Sequence, residues 1–294
     1  ADAEHTILAA LSRYSATAQA DRGRLLMGRV FRFRLLSALY REEEAIREFV
    51  ALISQVLDLS IFPSNRAFDQ VQVLAEFQDG FAQALAAIEN LPDRAVTPML
   101  RRNDEFVRAT ATLEAFLTSN GIDVTRLHRT HANLGLGYLA LGAPDRALAE
   151  CSKAEAGLAK TGLDTSQDYV RARICKARAF RLTNNYDGYS DEILALLRLV
   201  PDAVAYSDPL GIEIMQLQTV YALETAYGMK GQDRVDYLGY SATNAGRMDS
   251  GIRGYVGDLP GEQQQRALRR NRPRFGLAVH AYWMSANGFP GQPR

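Results

Sequence analysis

The chain has 294 residues, and its 34 basic side chains balance its 34 acidic ones. Nucleic-acid and acidic-membrane binding both depend on an excess of positive charge, so this balance argues against either kind of partner. The composition, 47% hydrophobic and 23% charged, is typical of a globular protein, and no apolar run reaches the roughly 20 residues that span a bilayer.

An N-terminal helical region is predicted over residues 1–123, because apolar residues recur there at spacings of three and four. The predicted elements are two helices within 3–57, a proline-containing loop at 58–65, and helices at about 66–90 and 96–118. Asn120-Gly121 gives the last of these helices a typical C-terminal stop.

Three predicted helical hairpins in residues 124–247 have a common skeleton. A small residue and an aromatic residue lie near the end of the first helix, a turn residue follows, and small or apolar residues begin the second helix. The helices pair as 125–141 with 145–161, 168–183 with 187–199, and 211–229 with 232–246. The shared positions are Gly135, Tyr138, Gly142 and Ala147, then Ala177, Phe180, Asn184 and Tyr189, then Leu223, Tyr227 and Gly231.

This skeleton resembles the tetratricopeptide repeat (TPR), in which small residues let two helices touch and an aromatic residue fills the gap between hairpins. The resemblance covers about residues 128–247 and implies a right-handed α-solenoid. The three aromatic residues lie 42 and 47 positions apart, which indicates longer helices or loops than the usual repeat of about 34 residues. The third hairpin is the least regular, because Glu224 and Asp236 stand where small residues belong, and Val235 is expected to replace the missing packing.

Residues 248–294 are predicted to form a C-terminal cap and tail. Glycines at 251, 254, 257 and 261, together with Pro260, predict a loop. A short helix at about 262–270 and an apolar stretch at 275–284 follow, and a solenoid needs such an element to cover its last apolar face. The predicted fold is therefore an all-α, right-handed solenoid of TPR-like hairpins with N-terminal helices and a C-terminal capping segment.

The TPR resemblance implies a non-enzymatic adaptor or scaffold that holds a partner peptide or helix in its concave groove. The groove positions are Arg129, Asn133, Leu136, Arg171, Ile174, Arg178, Gln218, Tyr221 and Thr225. Arginine binds carboxylates through two parallel hydrogen bonds, so a partner with an acidic segment is expected. Asn133 fits the TPR clamps that bind a C-terminal carboxylate, whereas Leu136 departs from their pattern. A cluster of arginines forms a predicted second surface: Arg266, Arg269, Arg270 and Arg272.

Two other functions remain open. A protein of the same fold can act as a sensor or regulator that binds a small ligand or signalling peptide. A helical enzyme is the less favoured alternative, since no spacing identifies a catalytic pair. His128 and His131, three residues apart, could face one metal ion, but no further ligand is suitably spaced. We therefore expect neither a metal nor another cofactor.

The sequence leaves the redox state of the cysteines and the compartment open. Cys151 and Cys175 fall on neighbouring predicted helices, so a disulfide is compatible with the predicted fold in an oxidising compartment. Two free, buried core cysteines are the favoured interpretation, because unpaired cysteine is often buried. The alanine at position 1 slightly favours export to a bacterial periplasm over the cytoplasm.

Overall fold

A computed structural model describes residues 2–15, 22–39, 93–121, 124–199 and 209–290, with single positions between 41 and 77. Within these ranges the protein is all-helical. The described helices are α1 (Asp2–Ser15), α2 (Arg22–Ala38), α3 (Asp93–Ser119), α4 (Thr125–Ala140), α5 (Pro144–Lys160), α6 (Gln167–Leu182), α7 (Tyr186–Leu199), α8 (Pro209–Gly228), α9 (Gly231–Gly257), α10 (Gly261–Arg270) and α11 (Arg272–Asn287). None of them combines the length and the apolarity needed to cross a membrane.

The six predicted hairpin helices are confirmed as α4 to α9, and five of them match to within about two residues at each end. Their turns use the residues that the sequence indicated. Gly142 and Asn184 adopt positive φ angles of 71° and 57°, a conformation that glycine and asparagine tolerate better than other residues. Proline at the first position of α5 costs no hydrogen bond there.

The predicted N-terminal elements are confirmed only in part. Helix α3 begins at Asp93 and stops before Gly121, whose φ is 67°, as its terminal residues indicated. The second predicted helix of 3–57 is interrupted, because α2 ends at Ala38 and the described positions from Glu44 onward belong to a further helical stretch. The predicted loop at 58–65 lies outside the described residues, as does most of the predicted helix at 66–90.

The predicted loop after residue 248 is wrong at its start, since α9 continues to Gly257. Glycine in a helix interior costs up to about 1 kcal/mol relative to alanine. Burial offsets this cost, because Met248, Ile252 and Val256 form an apolar stripe at helical spacing and are almost completely buried. The apolar periodicity of this segment therefore overrides its glycine content.

The chain divides into two compact units, residues 1–179 and residues 180–294, called here the N-terminal and C-terminal units. The predicted boundaries at 123 and 247 mark where the repeated hairpin skeleton begins and ends. The division into compact units does not test them, so they stay a prediction. The N-terminal unit has a core built around a run of aromatic rings. Phe33 lies 5.2 Å from Phe77, and Phe77 lies 5.5 Å from Phe106, measured between ring centres.

In the C-terminal unit α9 packs against both α8 and α11, and α11 also contacts α8. Gly246 of α9 leaves room for the Tyr282 hydroxyl of α11, which would lie 2.6 Å from a Cβ atom at that position. Helix α11 thus covers part of α9, as the predicted cap requires, while its own outer face leaves Val279 and Trp283 exposed.

The third hairpin does not pack as its skeleton predicted. Tyr227, the expected aromatic anchor, is 62% exposed, and Val235, the expected replacement for a small residue, is 53% exposed. Tyr138 of the first hairpin is buried as expected, and Phe180 of the second is half-buried. The aromatic position of the skeleton therefore has a different environment in each hairpin.

Candidate binding site

Four tyrosines surround an open cavity of about 470 Å³ in the C-terminal unit. Its lining residues, called here the tyrosine cavity, are Tyr186, Tyr189 and Ser190 of α7 and Tyr221, Glu224, Thr225 and Tyr227 of α8. Side chains three and four residues apart share one face of a helix, which places the three α7 residues together and Tyr221, Glu224 and Thr225 together on α8. Tyr227 borders the cavity from the last turn of α8. The volume falls within the roughly 300–1,000 Å³ of pockets that bind small molecules.

Hydrogen bonds and ring contacts fix the floor of the tyrosine cavity. The buried Tyr189 donates its hydroxyl to the Leu217 carbonyl at 3.0 Å. Its ring lies 5.5 Å from the Tyr221 ring at 86°, an edge-to-face arrangement that aromatic pairs favour. The Tyr221 hydroxyl is hydrogen-bonded to Ser190 Oγ at 2.9 Å. Both inner rings are therefore held in place before any ligand arrives.

The rim of the cavity is more exposed. Tyr186 is 59% exposed. The Tyr227 ring is held by one described neighbour, Phe289, whose ring centre lies 5.3 Å away at an interplanar angle of 85°. Large apolar rings are seldom left in water at a concave surface unless something packs on them. These two tyrosines are accessible to a ligand without any rearrangement of the core.

Among the described residues that line the cavity, Glu224 is the one carboxylate. Its Oε1 atom accepts a hydrogen bond from Arg181 Nε at 2.8 Å, and this bond raises the pKa of the Arg181 guanidinium. Its Oε2 atom is buried and has no hydrogen-bond partner among the described residues. The side chain is 34% exposed, so the ion pair offsets part of the carboxylate charge and leaves one oxygen without a bound donor.

The predicted groove residues fall into three groups. Asn133, Ile174 and Gln218 are buried, so their side chains are not available to a partner in this conformation. Tyr221 and Thr225 line the tyrosine cavity. The other predicted positions are half-buried: Arg129, Leu136, Arg171 and Arg178.

Two of the predicted groove arginines already face a carboxylate of the chain itself. Arg129 Nε and Arg171 Nη1 lie 3.7 Å and 3.6 Å from Asp168 Oδ1. All three side chains are about one-third exposed, so these are weak surface pairs. An acidic partner segment would therefore compete with Asp168 for both arginines.

The predicted second surface is mixed in its exposure. Arg269 and Arg272 are exposed, whereas Arg266 and Arg270 are half-buried. Arg266 lies 3.3 Å from Glu262, one turn earlier on α10. The arginines at the end of α10 also suit the partial negative charge of a helix C-terminus.

His131 lies in a buried polar cluster of the N-terminal unit. Its Nδ1 atom is 2.6 Å from Glu150 Oε2, and its Nε2 atom is 3.4 Å from Glu114 Oε2. Burial raises the pKa of Glu150, but hydrogen bonds from His131 and Lys153 outweigh this effect and hold that pKa below its usual range. Nothing in the described ranges assembles three side chains able to hold a metal ion.

Cys151 and Cys175 form a disulfide, with Cα atoms 6.1 Å apart, so the interpretation as free core cysteines is wrong. The bond joins α5 to α6 beside the backbone of α4. A Cβ atom at Gly135 would lie 2.1 Å from Cys151 Sγ and 2.9 Å from Cys175 Sγ. The close helix contact expected at Gly135 is thus present, and the sulfur atoms fill it.

Sequence reasoning missed most of the tyrosine cavity. Tyr189 and Tyr227 were assigned to packing between hairpins, and Glu224 was noted only as an irregularity of the third hairpin. A partial signal was present, since Tyr186 and Tyr189 are three residues apart and so share a face of one helix. Tyr221 and Tyr227 are six residues apart and do not share a face, so only the fold brings these four rings around one cavity.

Comparison with known proteins bears on the fold alone. The sequence matches no described protein-family profile, and no curated protein shows significant similarity to it. Among solved structures, the protein is similar to the crystal structure of BtubC (BKLC) from P. vanneervenii, with a TM-score of 0.50 and 11% sequence identity. That similarity covers 86% of this chain and 95% of the other. At this identity it supports a shared helical arrangement and carries no information on activity or partners.

Proposed function

We propose that this chain is a non-enzymatic interaction protein, an adaptor or scaffold built as a right-handed solenoid of TPR-like hairpins. It binds a group on its partner in the tyrosine cavity. The observation that carries this proposal is an open, tyrosine-lined cavity of about 470 Å³ whose wall includes Tyr221 and Thr225, two of the expected partner-binding residues. Tyrosine is enriched in binding interfaces because it offers a large rigid surface with a polar tip.

The arrangement of acid–base groups supports binding rather than catalysis. The His131 cluster has the residue types that proton transfer uses, but the imidazole is only 2% exposed, and a general base must come within hydrogen-bond reach of its substrate. In the cavity the carboxylate of Glu224 already accepts a hydrogen bond from Arg181. Binding surfaces need rigid rings and a charge, which the cavity supplies.

A sensor or regulator that binds a small ligand is the second candidate. It is supported by the size of the cavity, which suits a small molecule as well as one side chain of a peptide. The two functions differ in what surrounds the occupant, since an adaptor also contacts its partner outside the cavity.

The test uses two exposed rim residues, so that stability is little affected. Partners are first captured from the native source and purified, and their affinity is then measured for the wild type and for Tyr186→Ala combined with Tyr227→Ala. Removing two contact tyrosines is expected to weaken binding at least about tenfold, since interface tyrosines of this kind contribute about 1–2 kcal/mol or more each.

The matched control is Tyr240→Ala, which removes a comparably placed tyrosine of α9 that does not line the cavity. This variant should bind as the wild type does. If the double variant Tyr186→Ala with Tyr227→Ala binds the partner as tightly as the wild type and the control do, the partner contacts another surface and the proposed site is wrong.

The disulfide supports a proposal on compartment. Such bonds persist in oxidising environments and are rare in the cytosol, so we infer that the protein functions in an oxidising compartment such as a periplasm. Alkylation of thiols in freshly isolated protein tests this, because labelling of Cys151 and Cys175 before reduction would contradict it.

A further inference from the structure

We propose that the occupant of the tyrosine cavity is an organic cation, an alkylammonium group that is either a free small molecule or the head of a partner's lysine side chain. This inference rests on the proposed function, because it names the chemistry of the group bound at the same site. Three observations carry it: the aromatic lining, the unpartnered oxygen of Glu224 and the charge of the two helices that form the wall.

The lining suits a cation because aromatic rings carry negative charge on their faces. An ammonium group within about 6 Å of a ring centre is attracted to it, and quaternary ammonium ligands are recognised by cages of such rings. Of the four lining tyrosines, Tyr186 and Tyr227 are exposed and Tyr221 is half-buried, so three rings present accessible surface to a ligand in the cavity.

Glu224 supplies a carboxylate beside the rings. Arg181 forms an ion pair with it through Oε1, at 2.8 Å, and offsets part of its charge, whereas Oε2 has no hydrogen bond. Coulomb attraction across a protein surface is several times stronger than across water, so a cation in the cavity stabilises this oxygen even without touching it. A carboxylate ligand at the same position would be repelled.

The helices that form the wall have the same sign of charge. Helices α7 and α8 together carry five carboxylates, Asp187, Asp191, Glu192, Glu213 and Glu224, and one basic residue, Arg198. Arg181 pairs with Glu224, and Arg274 lies 3.9 Å from Glu213, so part of this charge is compensated within the protein. The remaining excess is negative and favours a cationic ligand over an acidic one. The acidic partner segment predicted from the groove arginines would have to bind in the N-terminal unit, where Arg129 and Arg171 lie.

The test compares a cation with a neutral molecule of the same shape. Choline and its carbon isostere 3,3-dimethylbutan-1-ol are titrated into the full chain, and binding is followed by the NMR shifts of the tyrosine ring protons and by calorimetry. Choline is expected to bind at least about tenfold more tightly, given the typical strength of cation–π contacts in a partly desolvated site. A second arm compares short peptides with lysine, trimethyllysine or norleucine at one central position.

Single substitutions test which residues supply the negative charge and the aromatic surface. Glu224→Gln should weaken choline binding about tenfold and leave the neutral isostere unchanged, whereas Asp233→Asn, an exposed residue of α9 outside the cavity, should leave both unchanged. Tyr227→Phe keeps the ring and should retain binding, and Tyr227→Leu should weaken it.

The two arms separate the sources of the cation. Tight choline binding indicates a free ligand, and binding of only the lysine or trimethyllysine peptides indicates a partner's side chain; both support the inference. Equal affinity for each charged probe and its neutral counterpart, including no binding of any probe, overturns it. If the purified partner still needs Tyr186 and Tyr227 in that case, the proposed function survives; if it does not, both are wrong.

Discussion

Tyr138 and Tyr227 occupy the same position in the shared hairpin skeleton, and their surroundings are opposite. In the N-terminal unit Tyr138 is buried, and its hydroxyl donates a hydrogen bond to Asp104. Burial and this hydrogen bond raise the pKa of Tyr138, so its hydroxyl stays a neutral donor. Arg146 binds the same carboxylate at 3.0 Å. In the C-terminal unit Tyr227 is 62% exposed and lines the tyrosine cavity.

The difference shows what decides whether the aromatic residue of a hairpin is covered by protein or left accessible. In the first hairpin a carboxylate and an arginine of the chain itself use the polar tip and the ring of the tyrosine, and the aromatic position is closed. In the third hairpin the ring of Phe289 contacts Tyr227 on one side, and the tyrosine stays available. Groups of the chain itself thus cover the aromatic position of the first hairpin, whereas the aromatic ring of the third hairpin remains accessible.

The largest effect is expected for Gly135→Ala, which tests the close contact between α4 and the disulfide. A Cβ atom there would meet both sulfur atoms of the disulfide, and overpacking of this kind costs about 3 kcal/mol. We expect the free energy of unfolding, measured in urea, to fall by that amount. Gly239→Ala, in a helix of the C-terminal unit with open space around it, should instead gain up to about 1 kcal/mol. A similar change in both variants would show that the α4–disulfide contact is loose.

Removing the disulfide itself comes next in size. The double variant Cys151→Ala with Cys175→Ala should lose about 3 kcal/mol of stability, the amount expected for a cross-link of this sequence separation. The substitution Gly135→Ala should cost less in this background than in the wild type, because its clash partners are gone. Reductant should lower the unfolding midpoint of the wild type and leave the double variant unchanged, and an insensitive wild type would contradict the prediction.

The buried polar cluster around His131 makes the stability of the N-terminal unit depend on pH in the acidic range. Because the pKa of Glu150 is lowered in the folded state, its contribution to stability is complete above the unfolded value of 4.5 and is lost as pH falls through the lower folded value. Glu150→Gln should destabilise the protein at neutral pH by about 1–3 kcal/mol, since His131 loses its charged partner.

The same variant should also flatten the fall in stability below pH 4.5, measured by urea unfolding at several pH values. Asp164→Asn, an exposed acid in the turn before α6, is the control and should leave the profile as it is. A Glu150→Gln profile that is parallel to the wild type would show that another carboxyl group causes the acid dependence.

The smallest effect on stability is expected where the groove arginines lie. Arg171→Glu with Arg178→Glu breaks a one-third exposed pair with Asp168, and such pairs contribute about 0–1 kcal/mol. Thermal unfolding should therefore change little, while binding of a partner with an acidic segment should be lost. Arg22→Glu with Arg198→Glu, two exposed arginines outside the predicted groove, is the control with the same charge change. Unchanged partner binding would remove the acidic-segment prediction and leave the tyrosine cavity as the remaining site.

Much of the local structure was predictable because it depends on near neighbours in the chain. The hairpin helices follow from apolar spacing, and the turns at Gly142 and Asn184 follow from the few residues that tolerate positive φ. The wrong loop prediction at 251–257 also came from local reasoning, because each glycine was taken by itself as a helix breaker. Burial of Ile252 and Val256 stabilises the helix by more than the glycines cost. The sequence placed Cys151 and Cys175 on neighbouring helices and so allowed a disulfide. Only the tertiary structure shows that the two residues are bonded.

What the sequence by itself determined is the all-helical class, the hairpin bounds and the close contact at Gly135, since these depend on periodicity, turn chemistry and residue size. What only the tertiary structure decided is which faces are covered. Burial of Asn133 and Ile174, pairing of Arg129 with Asp168, and exposure of Tyr227 beside Glu224 each depend on residues from another helix. A helical repeat fixes where a side chain lies on its own helix, and packing between helices then decides whether that side chain meets protein or solvent.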